Sequence, residues 1–237
     1  MLLAPAPKDP IVLSYLALRK AVGFVAIGLP FAVALPWWFL GGHIFEASIS
    51  CYYYTGMRNI FVGSLCAIAM FMLCCRGYDM YDEIGGIFSA ICALGVAFFP
   101  TSPGPCKVQR NLNVGNIHWT FAGLLFATLA CFCLFLFTMS AQNRILTPRK
   151  IQRNRVYKVC GCVIVLSMIM ILVLGHFHIT NLPGGLGSDF FFETTALLAF
   201  GFAWLIKGEF ILKDQNPQPL STVTTDGQVM ITGPRNN

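Results

Sequence analysis

Charged residues are scarce in this chain. Asp, Glu, Lys and Arg make up 11% of its 237 residues, against about 25% in an average soluble domain, and 56% of the chain is hydrophobic. A soluble protein of this length has too few polar side chains to cover so much apolar area. The composition therefore excludes an ordinary soluble domain and indicates an integral membrane protein, with the lipid bilayer as its first partner.

Markers of export, glycosylation and catalysis are also missing. The opening residues, MLLAPAPKDP, have prolines where a signal peptide has its apolar region, so we expect the first transmembrane helix to act as an uncleaved anchor. The sequence contains no Asn-X-Ser/Thr site for glycosylation, and it has neither an HExxH motif nor an HxxxH pair. No motif identifies a reaction, so the sequence does not decide whether the protein is an enzyme.

Six apolar runs are long enough to cross a bilayer, which takes about 20 residues of helix. They are Ala21–Leu40, Asn59–Cys75, Ile84–Pro100, His118–Met139, Val159–Gly175 and Phe190–Ile206. The sequence therefore predicts an all-α bundle of six transmembrane helices at 21–210. Before it we expect a cytoplasmic N-terminus, 1–20, with a short interfacial helix at 11–20, and after it a disordered cytoplasmic tail, 211–237.

Positive charge is concentrated between the fourth and fifth runs. The basic residues there are Arg144, Arg149, Lys150, Arg153, Arg155 and Lys158. Loops rich in lysine and arginine stay in the cytoplasm, and this placement leaves all but three of the 16 basic residues on that side. The three exceptions are Arg58, Lys107 and Arg110. We therefore predict both termini in the cytoplasm, and we interpret the basic loop as a topology determinant and not as a nucleic-acid site.

With this orientation, all four histidines fall on the outer side of the membrane, together with a set of polar side chains at 46–58 and with Asp189 and Glu193. The candidate binding residues are Arg58, Glu193, His118, Glu46, Ser50, Tyr53 and His176. Their clustering predicts an outward-facing polar site that binds a lipid headgroup or a small solute. Two alternatives stay open: a metal-assisted membrane lipid hydrolase, and a structural partner that assembles with other membrane subunits.

Glu193 and Arg58 are the leading pair among these candidates. An ionisable side chain within a membrane is costly, and it marks a functional site by default. Glu193 lies about one turn inside the sixth run, and Arg58 lies at a similar depth at the start of the second. We predict that the two side chains pair, either as a structural ion pair or as part of a binding site.

The histidines are also candidate ligands for a divalent metal. His176 and His178 are two residues apart and could share a metal if the chain is extended there, and His118 and His43 could supply further nitrogens. A zinc hydrolase of this kind uses three protein ligands, a water molecule and a carboxylate base.

Most of the ten cysteines lie within apolar runs, where cysteine acts as a small hydrophobic residue. Cys51 and Cys106 are the two that the orientation places outside. In an oxidising compartment they could form a disulfide between the first and second outer loops.

Several stretches carry a resemblance to a known family. They are SISCYYYTGMR at 48–58, RGYD at 76–79, FPT at 99–101, RNRVY at 153–157 and WLIKGE at 204–209. From about Ser48 to Glu209 the chain resembles small multi-pass bacterial membrane proteins grouped under a domain of unknown function. The resemblance implies a location in the bacterial inner membrane and implies no activity.

Overall fold

The computed structural model describes residues 10–42, 45–75, 80–101, 112–139, 147–213, 222–225 and 228–231. Within these ranges there are six α-helices: α1 (Pro10–Phe39), α2 (Arg58–Cys74), α3 (Met80–Phe98), α4 (Leu112–Leu134), α5 (Pro148–His176) and α6 (Ser188–Lys207). Two short 3-10 helices accompany them, η1 (Ile49–Tyr54) and η2 (Leu136–Thr138). The predicted all-α fold is confirmed.

Five of these helices are long and apolar enough to cross a membrane, and α2 is a shorter apolar helix of 17 residues. Many of their large apolar side chains point away from the protein: Phe31, Met70 and Leu172 are 46%, 59% and 70% exposed. Apolar side chains on the outside of a helix bundle suit contact with lipid tails. The backbone of an α-helix suits the same environment, because it satisfies its own hydrogen bonds. The chain is thus a polytopic membrane protein.

The helices form a closed ring in chain order. Each helix packs against the next along the chain, and α6 returns to pack against α1. Close contacts between the end of one helix and the start of its neighbour show the antiparallel arrangement: Gly86 lies against Met72, and Gly208 lies against Leu16. The ring has two ends. The histidine end contains η1, His118 and the starts of α2, α4 and α6, and the basic end contains the starts of α1, α3 and α5.

Two glycines allow α1 and α6 to pack unusually closely. A Cβ atom on Gly201 would lie 2.6 Å from Cγ1 of Ile27 and 2.7 Å from the carbonyl oxygen of Gly23. A Cβ atom on Gly23 would lie 2.8 Å from the carbonyl oxygen of Gly201. Only the absence of both side chains lets the two backbones approach, which is how small residues work in membrane helix pairs.

The first helix is longer than the sequence predicts. Residues 11–20, predicted as a separate interfacial helix, are continuous with the first span in α1, which also runs through Pro30 and Pro36 without a break. Arg19 and Lys20 interrupt the apolar run but not the helix, because lysine and arginine are good helix formers.

The tail contains a small hairpin. Thr222–Thr225 pairs antiparallel with Gln228–Ile231, and Thr222 lies opposite Ile231. These eight residues are paired strands where the composition predicts disorder. For 214–221, 226, 227 and 232–237, which lie outside the described residues, disorder stays a prediction.

Candidate functional site

The short helix η1 is the foundation of the histidine end. Ser48 caps its start: the Ser48 backbone is extended, and its Oγ accepts a hydrogen bond from the Cys51 amide at 3.2 Å. Five of the six residues of η1 are buried. A buried helix start leaves amide groups that need acceptors, since its first N–H groups have none within the helix.

Glu193 on α6 supplies one of these acceptors. Its Oε2 accepts a hydrogen bond from the Ile49 amide at 2.7 Å, and the Ser50 amide faces the same carboxyl group. The start of α6 is held against this segment, because the Phe190 amide donates to the Ala47 carbonyl at 2.9 Å. Glu193 is 8% exposed, so its carboxyl group is almost fully removed from solvent.

His118 on α4 joins η1 to the end of α3. Its Nδ1 lies 2.6 Å from the carbonyl oxygen of Phe99, and its Nε2 lies 2.9 Å from Oγ of Ser50. A carbonyl only accepts hydrogen bonds, so Nδ1 carries a proton and donates it to Phe99. In the neutral imidazole, Nε2 is then an acceptor for the Ser50 hydroxyl group. The ring is 2% exposed and has both nitrogens occupied.

These side chains surround a small cavity of about 10 Å³. It is lined by Ser48, Ser50, Thr101, His118, Trp119, Ala122 and Glu193. That volume accommodates about one water molecule, and the hydroxyl and carboxyl groups give such an occupant several polar partners. Trp119 is 38% exposed, so one wall of the cavity is close to the surface of the bundle.

Three of the seven predicted binding residues therefore come together: Ser50, His118 and Glu193. The predicted pairing of Arg58 with Glu193 is wrong. Nη2 of Arg58 donates to the Tyr53 hydroxyl at 2.6 Å, and its guanidinium carbon lies 4.2 Å from the centre of the Tyr53 ring. Arg58 is exposed, and a tyrosine five residues away supplies its partner locally.

The other two candidates lie outside the cavity wall. His176 is exposed at the end of α5, where its ring meets Phe177 edge to face. Glu46 is partly buried beside Tyr52, whose side chain has no exposed surface. Burial raises the pKa of Tyr52 to about 12, and the nearby Glu46 backbone amide opposes that shift.

The four predicted metal ligands are not assembled in the described part of the chain. No group of three or more His, Cys, Asp or Glu residues there is placed to hold a metal ion. His118 uses both nitrogens, while His176 is exposed at the end of α5 and His178 is exposed just after it. His43 lies outside the described residues, so its part in a metal site stays a prediction.

Cys51 is disulfide-bonded. Its sulfur also accepts a hydrogen bond from the Ser48 hydroxyl group at 3.2 Å, which ties the disulfide to the cap of η1. The other eight cysteines that the structure describes are free. Cys106 lies outside the described residues, and its pairing with Cys51 stays a prediction.

Ser48, Thr101 and the Phe99 carbonyl belong to the site but were not among the predicted binding residues. Ser48 has a recognisable signal, since serine at the start of a short turn is a common helix cap. The other two have none, because a backbone carbonyl and a threonine after a proline are ordinary features of a loop. No family model, curated protein or solved structure matches the chain.

Proposed function

We propose that this polytopic membrane protein binds one small polar group at the histidine end, either on a free solute or on a lipid headgroup. The observation that carries the proposal is the convergence of Ser50, His118 and Glu193, from three separate elements, on one cavity. A buried carboxyl group and two serine hydroxyl groups form a set of partners suited to a hydroxyl or a primary ammonium group, and His118 holds one of those hydroxyl groups in place.

The size of the cavity restricts what binds. At about 10 Å³ it has room for a group the size of water and not for a whole headgroup, because ligand pockets for larger molecules span roughly 300–1,000 Å³. The rest of an amphiphilic ligand would lie outside, beside the partly exposed Trp119. Tryptophan is common at the membrane–water interface of membrane proteins.

The experiment compares two cations that differ in size. Unfolding temperatures of the purified full chain are measured with methylammonium and with tetramethylammonium chloride at equal concentration. Methylammonium should raise the unfolding temperature, because its N–H groups fit the cavity, whereas tetramethylammonium is too large and has no N–H group. Glu193→Gln and Ser50→Ala should each abolish the difference.

The matched control is Ser89→Ala. Ser89 is 1% exposed on α3 and does not line the cavity, so this variant should respond as the unaltered chain does. Equal responses to both cations, or a selective response that survives Glu193→Gln, would exclude the proposal.

A second candidate function, serine hydrolysis, is favoured by the contact between Ser50 and His118. A hydroxyl group that donates to an imidazole, itself oriented through its other nitrogen, is the geometry of an activated nucleophile. If Ser50 acts in this way, a fluorophosphonate probe should label the chain and fail to label Ser50→Ala. An unlabelled protein would mean that the contact is structural.

We also propose that the basic end faces the cytoplasm of a bacterial cell. The charge distribution supports this orientation, since it places all but three of the 16 basic residues inside. A membrane-impermeant protease added to intact cells should leave a C-terminal epitope tag uncut, and cleavage under that condition would reverse the assignment.

A further inference from the structure

Four cations of the basic end lie within electrostatic range of one another, and the proposed function does not use them. They are Arg19 on α1, Lys150 and Arg153 on α5, and Lys207 on α6. Arg19, Lys150 and Arg153 all act on Lys207 as like charges, whereas Asp82 on α3 is the one acid among the described residues that acts on it. Arg19 is 9% exposed and Arg153 is 5% exposed, so two of the four charges are buried, while Lys150 and Lys207 are partly buried.

Two of the four cations donate hydrogen bonds to backbone carbonyls. Nζ of Lys150 donates to the carbonyl of Phe137 at 3.2 Å and to that of Met139 at 3.4 Å. Nη2 of Arg153 donates to the carbonyl of Ile206 at 3.2 Å, at the last turn of α6. Cations stabilise the carbonyl end of a helix, so both residues have a structural role.

Arg19 and Lys207 have no comparable explanation. Nη2 of Arg19 donates to the Tyr15 hydroxyl at 2.7 Å, but its Nε is buried without a hydrogen-bond partner. Nζ of Lys207 lies 5.2 Å from the centre of the Phe137 ring. Among the described residues, neither side chain forms an ion pair with a carboxylate. Arg19 is buried, and a buried charge is stable only when it is paired or coordinated, so its guanidinium group requires an anion. Lys207, which is partly buried, adds a second positive charge within electrostatic range of Arg19.

The packing of α1 on α6 brings Arg19 and Lys207 to the same end of the bundle. A Cβ atom on Gly208 would lie 2.9 Å from Cγ of Lys20 and 3.2 Å from the carbonyl oxygen of Leu16. Lys207 and Arg19 are the chain neighbours of Gly208 and Lys20, and Arg19 acts on Lys207 as a like charge, so the two side chains lie within electrostatic range of each other.

We propose that the basic end binds a phosphoryl group, held by Arg19 and Lys207. Arg19 offers a planar set of N–H donors suited to phosphate oxygens, and Lys207 offers a compact positive charge. The positions of Lys150 and Arg153 add to the local positive field. Basic pockets between membrane helices commonly hold the phosphate of a lipid headgroup, and inorganic phosphate offers the same chemistry.

An apolar cavity next to the cluster suits the rest of a phospholipid. It measures about 240 Å³ and lies between the end of α2 and the start of α3, at the basic end. It is lined by Met72, Leu73, Cys75, Glu83 and Ile87. Cys75 lies within electrostatic range of Arg19, so the cavity adjoins the cluster. Glu83 would repel a phosphate within the cavity itself, which confines the phosphoryl group to the side of Arg19.

The test uses full-length protein, stripped of lipid by extensive detergent washing, and measures the shift of its unfolding temperature. The probes are inorganic phosphate, phosphatidylglycerol in mixed micelles, and a neutral glycolipid without phosphate, all at one ionic strength. A shift with inorganic phosphate would identify a site for the free anion. A shift with phosphatidylglycerol alone would identify a lipid headgroup site. Absence of both shifts, or an equal shift with the glycolipid, would overturn the proposal.

The variants separate a site from a general effect of charge. Arg19→Gln and Lys207→Gln should each weaken the active probe at least tenfold, and Arg19→Lys should keep part of the binding. Arg155→Gln is the matched control, because Arg155 is an exposed cation of the same basic segment and should have little effect. Equal weakening in Arg155→Gln and Arg19→Gln would overturn the proposal.

A second measurement does not depend on unfolding. Phospholipid that remains with the gently purified protein is counted as phosphorus per chain. Lys207→Gln, and Arg19→Lys if Arg19→Gln does not fold, should retain less than Arg155→Gln does. Equal retention in all of them would contradict a lipid headgroup site at Arg19 and Lys207.

Discussion

Two arginines at opposite ends of the bundle make the same local contact. Arg19 and Arg58 each donate from Nη2 to a tyrosine hydroxyl, at 2.7 Å and 2.6 Å, and each guanidinium carbon lies 4.2 Å from the centre of that ring. Arg58 is exposed, so water satisfies the rest of its charge, whereas Arg19 is 9% exposed. The tyrosine contact and water together satisfy the charge of Arg58, whereas the same contact leaves Nε of Arg19 buried without a partner.

The two ends differ in the same way as a whole. At the histidine end, the buried polar groups of Glu193, His118 and Ser50 are each matched to a partner within the chain. At the basic end, Arg19 is buried and Lys207 is partly buried, and neither has a carboxylate partner among the described residues. The partners of these three groups at the histidine end come from the chain and leave room for one small polar group, whereas the buried charge of Arg19 at the basic end calls for an outside anion.

The largest expected effect comes from separating the helices that hold both ends in place. Gly201→Leu forces a side chain between α1 and α6, where a Cβ atom alone would lie 2.7 Å from the Gly23 carbonyl oxygen. Overpacking of this kind costs about 1–3 kcal/mol or more. Unfolding in detergent should show that loss, while Gly63→Leu, with no atom within 4 Å of its Cβ position, should be close to neutral. Similar losses in both variants would mean that α1 and α6 do not pack this closely.

Removing the acceptor at the histidine end should have the next largest effect. Glu193→Ala leaves the Ile49 amide buried without a partner, which costs roughly 1–3 kcal/mol of unfolding free energy. Glu193→Gln keeps a carbonyl oxygen at the same position and should cost less. Denaturant unfolding of the two variants checks the order, and a larger loss in Glu193→Gln would contradict the assigned hydrogen bond.

The sequence predicted all six helices from their apolar runs, and five of them are long and apolar enough to cross a membrane, whereas α2 is shorter. It placed Ser50, His118 and Glu193 on one side, but Ser50 and His118 are 68 residues apart and their contact depends on how the helices pack. The prediction for Arg58 failed for a local reason, since Tyr53 reaches the guanidinium group without any help from tertiary structure. The basic end was missed because its charge was interpreted as a topology signal, and burial cannot be read from charge alone.

The arginine comparison itself can be tested by replacing each charge with an apolar side chain. Arg58→Met should lose up to about 1 kcal/mol, the value of an exposed cation–π contact. Arg19→Met in lipid-free protein should be neutral or slightly stabilising, because it removes a buried charge without a counter-ion. The unfolding free energies of the two variants test this comparison. A strong destabilisation by Arg19→Met without any ligand would show that the chain already satisfies the charge of Arg19.

The smallest expected effect is a change in the pH dependence of stability, and it appears only at alkaline pH. Burial raises the pKa of Tyr52 to about 12 from an ordinary value of 10.0, so the folded protein keeps the proton that the unfolded chain loses. The contribution is fully present below pH 10 and is lost as the pH rises towards 12. Stability should fall less steeply over this window in Tyr52→Phe than in the unaltered chain, and parallel curves would argue against the burial of Tyr52.

The most direct test of the contrast between the two ends is an electron cryomicroscopy structure of the full chain in a bilayer that contains phosphatidylglycerol. We expect density for a phosphoryl group within hydrogen-bond distance of Nε of Arg19 and close to Nζ of Lys207, with none at Arg58. A carboxylate of the chain bound to Nε of Arg19, or water alone at that position, would contradict the account.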